Sequence, residues 1–353
     1  MRTQELWERL RHGVLSPAYF WAKLHWFLHH IGAVILKPLS QSMSPEERAM
    51  WFDAAFYHIM LMDKPRMQAY QAALQAVAGG RHVIDIGTGP SAILARLALQ
   101  AGAIDAVGVE ANPRSFRVAA ELAKHRYPDV LRIRPGFSTE LVPDPEAALP
   151  DLLVHEIIGC IGSDEGAPLV VDDAKRRLLA KDAVHVPSAC TTLLSPVSPL
   201  PPPRLVDSLA ARILRRTARA KKTGLYFTAN FPAHNRIAAP QVFESFEFAK
   251  QMEFRQVREH TFHIESGTNA DRDILFDGFV LWIRLAVDEQ HVVDSMQQTT
   301  NWDPVYIKML ETPVALRHGD VIKVRTEIDV STTLPHYAIN ATLPSGRAIE
   351  WRW

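Results

Sequence analysis

The sequence predicts an α/β protein in which a parallel sheet with crossover helices is followed by an antiparallel β-sheet or barrel. Two changes of texture and a length predict it. Between residues 82 and 156 short apolar runs alternate with helix-patterned stretches, which is the pattern of a parallel sheet. After Pro187 short strand-like runs separated by Gly, Pro, Asn and Asp turns take over, as in antiparallel β structure. The 353 residues suffice for about two domains at roughly 150 residues each.

The elements follow in chain order. Residues 1–44 are expected to form a helical extension. Its apolar stretch, Tyr19 to Leu36, carries Lys23, His25, His29 and His30, too polar for a membrane span of about 20 apolar residues. The aromatics Tyr19, Phe20, Trp21, Trp26 and Phe27 suit a helix packed on the body of the protein or covering a substrate. His25, His29 and His30 have no carboxylate nearby, so no metal is expected there. Ser44-Pro45-Glu46-Glu47 starts a helical stretch, and Gly79-Gly80 stops it after Ala78. Strands are expected at 82–86, 106–110, 130–134 and 152–156, with helices at 91–101 and 114–126. Beyond Pro187, strands are expected at 191–194, 242–248, 259–264, 278–285, 321–330 and 336–341. Pro199 to Pro203 and a basic helical stretch, Leu205 to Lys222, interrupt them. That stretch reads as a solvated helix face, as an arm toward a second subunit, or as a patch for an acidic partner.

Composition excludes several classes. Apolar residues make up 47% and charged residues 22%, as in ordinary globular proteins, so a disordered chain or a collagen-like repeat is ruled out. The 39 basic and 39 acidic side chains cancel, so no whole-chain field attracts nucleic acid or an anionic membrane, and neither is expected as a partner. Cys160 and Cys190 cannot build a disulfide framework or a four-ligand zinc site by themselves. The charged opening Met-Arg-Thr-Gln-Glu is unlike a secretory signal, and a reducing cytoplasm is the expected compartment.

The chemistry begins at Asp85-Ile86-Gly87-Thr88-Gly89-Pro90. A glycine turn straight after a strand lets backbone N–H groups approach a ligand closely, with a helix N-terminus behind it. Glu110 ends the next strand, where an acid can take both hydroxyls of a ribose. Together they describe a nucleoside-binding unit; the alternative is a structural turn with a coincidental acid. No Gly-Lys-Ser/Thr phosphate loop follows, and the third glycine of a dinucleotide fingerprint is missing, so a dehydrogenase is the weaker enzyme reading.

The pattern Asp-x-Gly-x-Gly resembles the first motif of class I methyltransferases, which bind S-adenosylmethionine on a Rossmann-like domain. The stretch Met60-Leu61-Met62-Asp63-Lys64-Pro65-Arg66-Met67-Gln68-Ala69-Tyr70 then resembles a motif of the protein arginine methyltransferases. So do Glu156 and Glu165, nine residues apart after the fourth strand, and Val184-His185-Val186-Pro187 at the entry to a β-barrel. The resemblance runs over about residues 45 to 330. It implies a Rossmann-like domain at 45–187 and a substrate-binding β-barrel at 188–353, with a dimerisation arm inserted at about 203–240 and hence a homodimer. It also implies that Arg66 holds the cofactor carboxylate, that Met60 lies beside the sulfonium and acceptor, and that Asp85, Gly87, Gly89 and Glu110 complete the cofactor site. Thr139, within Ser138 to Glu140 after the third strand, falls where the adenine contact is expected.

By the same resemblance Glu156 and Glu165 are the catalytic pair for an arginine of a protein or peptide. A protonated guanidinium is a poor nucleophile, with delocalised lone pairs and a pKa above about 12. Two carboxylates can orient it by forked hydrogen bonds and favour its charge in the transition state. One of them, or His155, can receive the departing proton. The sequence departs from the family at Thr299-Thr300-Asn301-Trp302, where Asn301 stands in place of the histidine of a Thr-His-Trp loop. That histidine pairs with the acid at the Asp63 position; asparagine can hydrogen-bond there but cannot carry a proton. Methylation of another acceptor, a peptide histidine or a guanidino small molecule, therefore stands beside arginine methylation. So does an inactive cofactor-binding partner protein, although retained Arg66, Glu110, Glu156 and Glu165 argue against it.

Overall fold

The computed structural model describes residues 60–200, 225–227, 231–265 and 274–353. The expected N-terminal extension, with its three histidines, and the basic stretch expected to form the arm lie outside them. Among the described residues the first long helix, α1 (Lys64–Val77), does not run unbroken through Asp63 as the periodicity predicts. Asp63 is its N-cap, accepting the Arg66 N–H at 3.2 Å. Pro65 stands in the first turn, and its ring would clash with the carbonyl four residues back if the helix continued. The buried stripe Ala69, Tyr70, Ala73, Leu74 has helical spacing and faces the core.

Then strand and helix alternate: β1 (His82–Ile86), α2 (Ile93–Gln100), β2 (Asp105–Glu110), α3 (Pro113–Arg126), β3 (Leu131–Pro135), β4 (Leu152–His155), α4 (Ala167–Arg177) and β5 (Val184–Val186). The strands form one parallel sheet in the order β3-β2-β1-β4-β5. β4 is buried along its whole length, as expected when elements cover both faces. The order reverses between β1 and β4, and the crevice at the carboxyl ends of those two strands is where open α/β sheets bind ligands.

The chain turns through Val186 and Pro187 into antiparallel structure. A six-stranded sheet has the order β7-β13-β11-β6-β8, with β12 added on β11. Its members are β6 (Ala189–Val197), β7 (Leu225–Phe227), β8 (Gln241–Glu247), β11 (Gly278–Ala286), β12 (Val292–Asp294) and β13 (Val305–Lys308). A four-stranded sheet has the order β17-β16-β15-β9, from β9 (Arg255–His263), β15 (Val321–Asp329), β16 (His336–Thr342) and β17 (Ala348–Arg352). β10 (Ile274–Phe276) pairs with β14 (Val314–Leu316). β15 alternates buried and open positions, so its sheet presents one face to the core and one to solvent. A single apolar core joins the parallel and antiparallel parts, including Tyr70, Leu74, Val154, Phe243, Phe262 and Phe279.

One close approach is conspicuous. A Cβ on Gly278, at the start of β11, would lie 1.9 Å from the Ile307 carbonyl oxygen of β13. Neither backbone can yield without disturbing the pairing of Gly278 with Lys308. Gly278→Ala should cost about 1–3 kcal/mol of stability, the range for overpacking. Thermal or denaturant unfolding measures it, and a midpoint equal to the parent's would show that β11 and β13 do not approach so closely.

Candidate active site

Arg66 stands on the first turn of α1 and is 3% exposed. Its Nη1 donates to Glu156 Oε1 at 2.5 Å and its Nη2 to the Met60 carbonyl at 3.1 Å. Asp63 Oδ2 lies 3.7 Å from its Nε. The guanidinium sits over the Trp302 ring, 4.8 Å from the centroid, a distance for a cation–π contact. Burial pulls the pKa of this arginine down, but Glu156 and Asp63 outweigh it and hold the charge more firmly than in water. Trp302 is fixed in turn by its Nε1–H, which donates to the Ile158 carbonyl at 2.7 Å.

Asn301 meets Asp63, as the resemblance implies for that position, but through the main chain. Its backbone N–H donates to Asp63 Oδ2 at 2.8 Å. Asp63 thereby caps α1 with one oxygen and ties it to the antiparallel part with the other.

A cavity opens beside this cluster, lined by Met60, Arg66, Tyr70, Asp85, Gly87 and Glu156 among others. The glycine turn is built as its position demands. Gly87 and Gly89 have φ of 76° and 67°, left-handed values that glycine adopts without strain. The N–H groups of Gly87 and Thr88 both donate to the Val109 carbonyl, at 2.9 and 3.1 Å. Asp85 Oδ2 accepts from the Thr88 hydroxyl at 2.6 Å and the Ala95 N–H at 3.1 Å, while its Oδ1 is buried without a hydrogen-bond partner. Burial raises Asp85 to about 6 against those two bonds. Glu110, at the end of β2, accepts from the Gly89 N–H at 2.8 Å and the Asn112 N–H at 2.7 Å. It is thus joined to the glycine turn across the sheet edge.

The structure separates other residues from this cavity. Glu165 is exposed, on the turn before α4, and does not line the cavity. Thr139 is exposed within a short 3₁₀ turn, Ser138–Glu140. His155 departs most from expectation. Its ring points into the core, edge-on to Phe248 at 4.8 Å, and burial and His185 lower its pKa to about 3. Adjacent positions on a strand face opposite ways, so a ring directed to the core accompanies a Glu156 directed to the cavity. Tyr70 was not singled out for a role from the sequence. It lines the cavity and donates to the His155 carbonyl at 2.9 Å, and its place in the Arg-x-x-x-Tyr spacing, one helical turn from Arg66, was the available signal.

No family model matches the chain. An arginine N(omega)-methyltransferase of Streptomyces achromogenes subsp. streptozoticus is 32% identical over 187 residues, 46% of this chain and 52% of that protein. Protein arginine N-methyltransferase 7 of Drosophila willistoni is 35% identical over 137 residues, 36% of this chain and 20% of that protein. The chain therefore spans about half the length of the first relative and a fifth of the second. The fold extends the likeness. Protein arginine methyltransferase 10 of Arabidopsis thaliana superposes with a TM-score of 0.69 at 20% identity, over 85% of this chain and 98% of that one. In sequence the chain is similar to arginine methyltransferases, and in fold to the solved protein arginine methyltransferase 10. A Trypanosoma brucei PRMT1 enzyme–prozyme heterotetrameric complex with AdoHcy gives the same TM-score at 17% identity, over 84% of this chain and 97% of that one. In this fold Arg66, Glu110 and Glu156 stand at the carboxyl end of the parallel sheet, and the Asn301 backbone reaches Asp63. Among the described residues no helix is long and apolar enough to cross a membrane. Nor is any group of three or more His, Cys, Asp or Glu placed to hold a metal.

Burial raises Glu156 to about 7, from near 4.5, although Arg66 pulls the other way. Folding therefore takes up a proton at this carboxyl between those values. Stability from this group is fully present below about 4.5 and is lost as pH rises through about 7. Relative to the parent, Glu156→Gln should gain stability steadily from pH 5 to pH 8 in thermal unfolding. A pH-independent difference would place the raised carboxyl elsewhere.

Proposed function

We propose that this chain transfers a methyl group from S-adenosylmethionine to a guanidino nitrogen of arginine. The observation that carries the reading is the meeting of Arg66, Glu156 and the Gly87 turn around one cavity at the crevice between β1 and β4. Relatives named as arginine methyltransferases support it.

The residues fit the cofactor. Gly87 leaves room that a Cβ would take up, 3.2 Å from Ile157 Cγ2, and the cavity-lining Asp85 has a buried oxygen without a partner. Arg66 would hold the amino-acid carboxylate, which suits a planar fork of donors, and Glu110 would take the ribose hydroxyls. Asp85, Gly87 and Gly89 would bound the site, with Thr139 near the adenine. When bound, the cofactor supplies an electrophilic methyl on a sulfonium.

The chain's own residues supply orientation and charge. Glu156, ionised, offers two acceptor oxygens to the guanidinium; Glu165, exposed on the following turn outside the cavity lining, would serve as second carboxylate to an acceptor that reaches that turn. Met60 would flank the reacting groups. Positioning of this kind can supply up to roughly 7–11 kcal/mol of a barrier. Glu156, with its pKa raised toward neutrality, can also receive the proton released as the N–C bond forms. His155 cannot, because its ring lies in the core. A protein or peptide arginine is the first acceptor class, with a guanidino small molecule differing only in what surrounds the same group. The backbone contact of Asn301 with Asp63 keeps the link expected of histidine there, so the asparagine gives no reason to prefer a histidine acceptor.

Incubation with methyl-labelled S-adenosylmethionine and cell lysate, followed by hydrolysis and mass spectrometry, should yield labelled methylarginine in the protein fraction. Label in methylhistidine alone would overturn the acceptor. With an arginine acceptor, kcat/KM should rise with pH through a limb near 7, as Glu156 ionises, and Glu156→Gln should lose the limb and at least tenfold in rate. Calorimetry should show weaker S-adenosylhomocysteine binding in Arg66→Ala and Glu110→Ala; unchanged affinity in both would move the cofactor elsewhere.

A further inference from the structure

The turn that carries Glu165 is held by a residue outside the family motifs. Glu244, on β8, is fully buried, although a carboxylate in that position is costly. Its Oε1 accepts from the Ser163 N–H at 3.1 Å and the Thr192 hydroxyl at 2.8 Å. Its Oε2 accepts from the Ser163 hydroxyl at 2.6 Å. Thr192 Oγ1 accepts from the Gly162 N–H at 2.9 Å, and Ser163 Oγ lies 2.8 Å from the Tyr337 hydroxyl. Two consecutive backbone N–H groups of the turn thus end, directly or through Thr192, on one carboxylate of the antiparallel part.

We propose that Glu244 is a positioning residue for methyl transfer: by gripping Gly162 and Ser163 it sets where the backbone of Glu165 stands relative to Glu156. The inference rests on the proposed function. The path from grip to Glu165 is short. The Asp164 N–H donates to the Ile161 carbonyl at 2.9 Å and the Gly166 N–H to the Ser163 carbonyl at 3.0 Å, and α4 starts at Ala167. Glu165 therefore lies inside a turn closed on both sides of Ser163. Contact is tight enough that a Cβ on Gly162 would lie 2.6 Å from Cys190 Sγ.

The strand pairing explains how a charged residue reaches this place. Between β6 and β8 the register shifts, with Thr192 opposite Glu244 and Leu193 opposite Val242. Phe243 is the extra residue of a β-bulge, so Phe243 and Glu244 are both buried where alternation would bury only one. A carboxylate is suited to the task because it only accepts, at up to four lone-pair sites, and three donors converge here. Asp164, Cys190 and Tyr337 also face it, and burial brings Glu244 to about 7.

The test compares Glu244→Leu with Glu244→Gln in the full chain. Glutamine can keep every contact: its oxygen accepts from Ser163 N–H and Thr192, its amide donates to Ser163 Oγ, and the serine proton turns to Tyr337. Glu244→Leu should lose at least tenfold in kcat, with KM for S-adenosylmethionine and Kd for S-adenosylhomocysteine within threefold of the parent. Amide hydrogen exchange, read by mass spectrometry, should quicken at residues 161–166. Glu244→Gln should restore kcat to within threefold and exchange to the parent rate. Should Glu244→Leu not fold, Thr192→Val, which removes one donor to Glu244 and the acceptor for Gly162, should show the same pattern at about threefold. Unchanged exchange at 161–166 in a folded variant overturns the proposal, as does a loss of cofactor binding as large as the loss of kcat. If the unaltered chain methylates no arginine acceptor, the proposed function fails. The exchange measurement then still decides whether Glu244 holds the turn.

Discussion

A buried positive charge organises this molecule. Arg66 is enclosed by the end of β4, the start of α1 and the antiparallel part, and none of the three could close over it without supplying an acceptor or a ring face. Glu156 gives an ion pair, Met60 a carbonyl, Asp63 a second carboxylate, and Trp302 a π face. Removing one partner of such a pair leaves a charge in low dielectric, which costs far more than the net worth of the pair. The same geometry bears on the proposed function. A cation that needs a carboxylate in the folded chain is well placed to exchange or share it with a ligand that brings its own.

The two parts of the protein are consequently joined at polar points set within an apolar core. Asp63 with Asn301, Trp302 with Ile158, and Glu244 with Ser163 each cross from the parallel-sheet part to the antiparallel part. Apolar contact is tolerant of small slides, whereas a hydrogen bond weakens steeply with angle and distance. Three such bonds around the crevice therefore give it a defined shape, and the core supplies the bulk of the cohesion.

Much of the parallel sheet was legible in the sequence. Apolar runs bounded by glycine turns placed β1, β2, β3 and β4 within a residue or so of where they stand, since strands buried on both faces are written as continuous apolar stretches. The antiparallel strands were caught where they are long and apolar, as in β11, and missed where short, as in β12 and β14. The first four residues of β9, Arg255 to Arg258, were missed because two arginines break the apolar pattern, Arg255 on the open face and Arg258 on the face of buried Gln256 and His260. Helix α4 went unanticipated, since Gly166 and Pro168 at its start read as loop. In the site, Arg66, Glu110 and Glu156 were legible because motif spacing reflects strand and helix ends. The direction of the His155 ring and the burial of Glu244 were not, because both depend on what the second part brings against the first.

The bond between Asp63 and residue 301 has a consequence for how such proteins diverge. Its donor is an amide of the main chain, which every residue except proline carries. Substitution at 301 can thus alter the character of the crevice while the link at Asp63 persists, and drift at this position is not a measure of lost architecture. A joint encoded in backbone geometry leaves no letter to match, so kinship of this kind is recorded more faithfully in shape than in spelling.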